Sequence, residues 1–193
     1  MRLTISHTSV YGYGAPVPYA LQELRLTPRS SASQRVIDWS TEVEGGRKQV
    51  TFDDQYGNRV ELVSVSSGTS EVTVVAEGEI ETLDTAGVLD EQSGFAPLWL
   101  FRRETALTAA GPAVRALIGD LGAGNSDGVA LMHSLSTRIR EAVEYETGAT
   151  GTASTAEEAL HLRRGVCQDH AHIFAAASRA LGYPTRYVSG YLM

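Results

Sequence analysis

Over the first 83 residues, polar and apolar side chains alternate with a period close to two. The runs R-L-T-I-S-H-T-S-V-Y (2–11), R-V-I-D-W-S-T-E-V (35–43), K-Q-V-T-F (48–52), N-R-V-E-L-V-S-V (58–65) and E-V-T-V-V-A-E-G-E-I-E-T-L (71–83) are rich in β-branched residues. That combination predicts half-buried strands. Between the third and fourth runs lies D-D-Q-Y-G-N, a turn in which Gly57 and Asn58 are the expected positive-φ residues. Pro16, Pro18 and Pro28 fall outside the best runs, as suits residues that cannot donate to a ladder. Short strands at this spacing predict an antiparallel sandwich-like domain or a barrel.

Past D-T-A-G-V-L-D-E-Q-S-G-F-A-P (84–97) the period changes to that of a helix. This stretch is the expected boundary between an N-terminal β domain over 1–85 and a second domain over 86–193. Pro112 opens a short helix over about 112–120, at a first-turn position where its missing N–H is not needed. A longer helix is expected from about Asp127 to Glu144, where Leu131, Leu135, Ile139 and Val143 form one apolar stripe. A third opens on Thr155 and Glu158, spaced as a capping box, runs to about Arg163 and stops at Gly165. A fourth is expected from Cys167 to Leu181-Gly182, ended by Pro184, with R-Y-V-S-G-Y-L-M (186–193) as a strand. The whole is therefore expected to be α+β: a β domain followed by a mainly helical one that closes on its first long strand.

The chain of 193 residues is long enough to bury a core, and its 42% hydrophobic and 20% charged content is that of a globular protein. Its formal charge of -7 repels phosphate backbones and anionic lipid, which excludes nucleic acid and membrane surfaces as expected partners. No stretch approaches the ~20 apolar residues of a membrane span, and the N-terminus lacks the apolar run of a signal peptide. A cytoplasmic location is expected. The single cysteine, Cys167, forms no disulfide within the chain.

What Cys167 does is the chief question. A lone cysteine is most often a small buried hydrophobe. Here, however, Gly165 allows close approach of the backbone, and Cys167 falls in the first turn of a helix. Unpaired N–H groups and the positive end of the dipole favour a thiolate there, and the same N–H groups can donate to an oxyanion. The alternative, a metal site built from Cys167, Asp169, His170 and His172, lacks a second pair of ligands, because His170 and His172 point to different faces of the helix. No metal or cofactor is therefore expected. As a nucleophile, Cys167 needs a base, and His170, one turn along the same helix, is poorly aimed for that task. His7, His133 and His161 sit on other elements, with nothing in the sequence to bring them to the thiol.

The stretch G-V-C-Q-D-H-A-H, with A-A-A-S-R-A-L-G-Y-P-T-R-Y-V-S-G-Y-L after it and Y-E-T-G-A-T and T-A-E-E-A-L before it, resembles the nucleophile segment of the bacterial transglutaminase-like superfamily. The β-rich first half is similar to the region that precedes the core in bacterial members. The resemblance implies a papain-like core and acyl transfer at an amide or peptide carbonyl, with Cys167 forming a thioester. It also implies that the Cys167 N–H helps hold the oxyanion, and it makes Tyr145 a candidate second donor. Asp169 and His172 belong to the matched motif; the helix dipole accounts for Asp169, and a hydrogen-bonded histidine under the helix is the expectation for His172. Arg179 and Arg186 are expected to pair structurally rather than hold a substrate carboxylate.

The sequence departs from the family in one respect. The family places its histidine in an H-A-W-like segment and its aspartate in a D-P-T-like one, and neither segment occurs in these 193 residues. The expectation is the N-terminal portion of a longer thiol enzyme, inactive as an amidase by itself, with a peptide or protein amide as substrate. A homodimer through the unpaired edge of the last strand is expected as well. The rival expectation is a non-catalytic binding module that keeps the fold without the triad.

Overall fold

The alternation in the first 83 residues becomes six strands: β1 (Arg2–Val17), β2 (Ala20–Leu24), β3 (Gln34–Glu44), β4 (Gly46–Asp53), β5 (Arg59–Val65) and β6 (Thr69–Thr82). The computed structural model describes residues 1–88, 96–121 and 127–191. The chain divides into two compact units, Met1–Ala96 and Pro97–Met193. Residues 89–95 of the expected boundary stretch and 192–193 of the expected last strand lie outside the described residues.

In the first unit all ladders are antiparallel, in two sheets ordered β1-β6-β3 and β2-β5-β4. Leu24, Val63 and Val65 from one sheet meet Val72 and Val74 from the other, with Tyr13, Val17, Ala20 and Val43 packed at the margin. Each fully buried valine contributes about 1.5–3 kcal/mol of transfer free energy, and a shared core between two sheets makes this unit a sandwich. The strand β2 was not legible in the sequence: it spans five residues, follows two prolines, and buries only Leu24 fully. Pro16 does fall within β1, but at the register break between Gly12 and Val17, where no ladder bond is asked of it. In the β4–β5 turn Gly57 has φ 75, whereas Asn58 does not take positive φ. Asn58 instead gives its N–H and its side-chain amide to Asp54, at 2.8 and 2.9 Å.

The second unit contains α1 (Pro112–Ile118), α2 (Gly128–Ala142), α3 (Ala156–Leu162) and α4 (Cys167–Ala180), with 3-10 turns at Leu98–Arg102 and Ala106–Thr108. The stripe on α2 is buried as the spacing predicts, Leu131, Leu135, Ile139 and the C-cap Val143 all being 3% exposed or less. Leu135, Ile139 and Val143 pack with Val114, Ala156, Ala159, Ile173, Ala176 and Ala177 in one core. The alanines of α4 let the neighbouring helices approach closely. The Asp127 carboxylate caps α2, and the capping box of Thr155 and Glu158 opens α3. Glu157 reaches from α3 to the start of α1, accepting from the N–H groups of Ala113 and Val114 at 2.9 and 2.8 Å.

The described part of the strand expected over 186–193 is not formed: residues 184–191 carry no ladder. An extended segment becomes a strand only by pairing its N–H and C=O groups, and no described neighbour offers that. The tail is tethered instead by the Thr185 N–H on Phe101 O and by Arg179, whose guanidinium donates to Phe101 O, Thr108 Oγ1 and Thr185 O at 3.0, 2.6 and 2.8 Å. Arg179 therefore pairs structurally, as expected.

Candidate active site

Two short strands fix where α4 begins. α3 runs to Arg163, as expected, and Arg163 in the left-handed conformation (φ 57, ψ 22), rather than Gly165, is its stop. Arg164–Gly165 (β8) then pairs in parallel with Glu144–Tyr145 (β7), which follows α2. Main-chain bonds from Glu144 to Arg163 and from Glu146 to Gly165, both 2.9 Å, close this ladder. Gly165 is required for a different reason: a Cβ there would lie 2.8 Å from both Cβ and Oδ2 of Asp169.

Val166, the residue before the cysteine, is held from both sides. Its N–H donates to Asp169 Oδ2 at 2.7 Å, and the same oxygen accepts the Thr150 hydroxyl at 2.5 Å. Its carbonyl accepts the N–H groups of Asp169 and His170 at 3.0 and 3.2 Å, with His170 Nδ1 a further 2.9 Å contact. The other ring nitrogen, Nε2, lies 3.0 Å from Val143 O at the end of α2. The Tyr145 ring stacks on that imidazole, centroids 6.5 Å apart and planes 23° off parallel.

Cys167 is the first residue of α4 and is exposed. At that position its N–H has no carbonyl four residues back to serve, so it is free to donate outward. Both nitrogens of His170 face carbonyl oxygens, so neither nitrogen is directed at the sulfur. His7, His133 and His161 are exposed on β1, α2 and α3, and no histidine is hydrogen-bonded to the thiol among the described residues.

The remaining candidates divide. Tyr145 is 62% exposed and lies opposite Gly165 in the β7–β8 ladder, which places it beside the nucleophile segment. Asp169 is 1% exposed; one carboxylate oxygen holds Val166 and Thr150, while Oδ1 is buried with no partner among the described residues. His172 is 6% exposed and packs against Tyr187, ring centroids 5.5 Å apart. The hydrogen-bonded histidine expected there is not seen at Nδ1, which is buried with no partner among the described residues. That ring meets Tyr187 rather than the face of Cys167, because five positions along a helix turn it about 140° around the axis.

Thr150 escaped the sequence reading, since nothing local distinguishes it from the other small polar residues of its loop. The same loop lines an open depression with Ala149, Thr150, Gly151, Ala153 and Ser154, completed by Glu158 and Leu162. Gln168 on α4 reaches the Thr152 carbonyl of that loop at 3.4 Å. Among the described residues no three His, Cys, Asp or Glu side chains gather as metal ligands, and no helix is long and apolar enough to cross a membrane.

Residues 3–81 match the model of the bacterial transglutaminase-like N-terminal region, and residues 115–193 match that of the transglutaminase-like superfamily. An uncharacterised protein of Mycobacterium leprae is 30% identical over 99% of this chain, and one of Mycobacterium tuberculosis is 27% identical over 99%. The chain spans 71% and 66% of those two proteins. A crystal structure described as "a Putative Cysteine Protease from Cytophaga hutchinsonii" superposes with a TM-score of 0.73 at 19% identity, over 95% of this chain and 65% of that one. At that identity the likeness is one of fold.

Proposed function

Because the chain belongs to the transglutaminase-like superfamily, we propose that it is the N-terminal portion of a thiol acyl-transfer enzyme in which Cys167 is the nucleophile. The observation that carries this reading is the exposed sulfur at the first position of the 14-residue helix α4. The substrate is an amide or peptide carbonyl. The thiolate attacks the carbonyl carbon, a C–S bond forms, and the oxygen takes negative charge. The Cys167 N–H donates to that oxyanion, and Tyr145, exposed on β7, is the second donor. Collapse breaks the C–N bond, and the amine leaves with the proton that the thiol gave up. Water or a second amine then takes the acyl group from sulfur.

A base must carry that proton from sulfur to the leaving amine. Among the described residues no histidine is hydrogen-bonded to Cys167, and on this reading the base and its orienting carboxylate come from segments of the H-A-W and D-P-T kind, which these 193 residues do not contain. The chain alone is accordingly a weak amidase with a reactive thiol. Because Cys167 is the only cysteine, iodoacetamide labelling reports on it without ambiguity. Labelling faster than that of a free model thiol at the same pH is expected; labelling no faster overturns the reading in favour of a binding module that keeps the fold. The tail over 184–191 lies in no ladder, so a second copy can pair with it, and a clean monomer in size-exclusion chromatography at high concentration overturns that.

A further inference from the structure

Resting on the reading of Cys167 as the acylated thiol, we propose that His170 is a positioning residue that sets the spacing of the two oxyanion donors, the Cys167 N–H and Tyr145. The imidazole spans two main-chain carbonyls, Val166 O at 2.9 Å from Nδ1 and Val143 O at 3.0 Å from Nε2. Val166 C=O and Cys167 N–H belong to one trans peptide plane, so holding the carbonyl aims the N–H in the opposite direction. Val143 lies two residues before Tyr145, which the β7–β8 ladder fixes and whose ring stacks on the same imidazole. One side chain therefore touches the framework of both donors. The helical bond from the His170 N–H to Val166 O would form with any residue at 170; the two ring contacts require a histidine.

The test compares two reactions of the single thiol in the full 193-residue chain. Acylation by p-nitrophenyl acetate passes through a tetrahedral oxyanion: the C–S bond forms, the C–O bond to p-nitrophenolate breaks, and the thiol proton goes to solvent. Alkylation by iodoacetamide displaces iodide at a saturated carbon and forms no oxyanion. His170→Phe keeps the ring and loses both contacts, and it should slow acylation about tenfold while leaving alkylation unchanged. His170→Asn, whose amide can still donate to Val166 O, should fall between His170→Phe and the wild type. An equal fall in both reactions, no fall in either, or an Asn variant no better than Phe would overturn the proposal. If the wild type itself is acylated no faster than a free thiol, the nucleophile reading fails, and this inference fails with it.

Discussion

The two units bury different kinds of side chain. In the sandwich the buried residues are aliphatic except for Thr41, whereas the helical unit buries Thr108, Asp169, His172 and Ser178, three of them on α4. Among the described residues the sandwich also holds buried unpaired side-chain atoms on Gln22, Trp39, Thr41 and Glu61, of which Gln22 and Glu61 keep a partner through another atom, Tyr13 and Lys48 respectively. A buried polar group without a partner costs about 1–3 kcal/mol. Placing three buried polar side chains on one helix does not serve packing, since alanines and leucines would fill the same space. The difference teaches that α4 is constrained at its start by a polar network, while the sandwich is constrained by its aliphatic core.

The comparison is sharpened most by cavity variants, which should act on each unit through its own core. Leu135 is fully buried in the helical core, and Leu135→Ala should destabilise that unit by about 3–4 kcal/mol. Leu24, 8% exposed in the sandwich, has more room to relax, and Leu24→Ala should remove about 2 kcal/mol. Urea unfolding followed by helical circular dichroism and by Trp39 fluorescence in a Trp99→Phe background reads the two units separately. Equal shifts of both probes for either variant would show the units unfolding as one.

Next in size is the polar network. Asp169→Ala strands the Val166 N–H and the Thr150 hydroxyl, a loss of about 2–3 kcal/mol confined to the helical probe. Asp169→Asn can place its amide oxygen where Oδ2 stands, still accept both bonds, and should lose less. If the two variants are equally stable, the carboxylate is not what holds the start of α4.

Much of the fold was legible because it rests on period. The stripe of Leu131, Leu135, Ile139 and Val143 and the capping box at Thr155 are local signals, and both are found where the sequence places them. What was not legible depends on contacts between distant residues. Thr150 meets Asp169 across 19 positions, and His170 meets Val143 across 27. Gly165 reads as a helix stop, but its packing against Asp169 is the reason for its small size. Position 172 is a related case: the sequence marks a histidine in the motif, but not that its ring meets Tyr187. The last strand failed because β structure is a property of a pair, and the pattern of one segment says nothing of its neighbour.

A smaller effect separates local capping from the polar network. The Thr155 hydroxyl accepts the Glu158 N–H at 3.2 Å, and the Glu158 carboxylate accepts the Thr155 N–H at 2.8 Å. Thr155→Ala should lower the stability of the helical unit by about 1 kcal/mol. Because the box lies at the far end of α3 from Cys167, iodoacetamide labelling should be unchanged in this variant. A slowed label would mean that the start of α3 and the start of α4 are coupled, and that the network is wider than the contacts around Val166.

The smallest effect is a pH dependence that belongs to the sandwich. Burial pushes the Asp54 carboxyl up, but hydrogen bonds from the Asn58 side chain and N–H, the Arg25 guanidinium and the Tyr56 N–H outweigh it and hold the group below the usual range. A carboxyl that binds its proton more weakly when folded adds stability above its unfolded value, about pH 4, and loses it as pH falls through the lower folded value. The urea midpoint read by Trp39 should therefore drop as the solution is acidified below about pH 4, and Asp54→Asn should flatten that part of the profile. The Glu158 carboxyl, held low by the Thr155 N–H and hydroxyl, gives the helical probe an acid slope of the same sign, and Asp54→Asn should leave that slope intact. A Trp39 profile with the same acid slope in Asp54→Asn as in the wild type would move the source of the dependence to the other carboxylates of the sandwich, beginning with Glu79 beside Arg2.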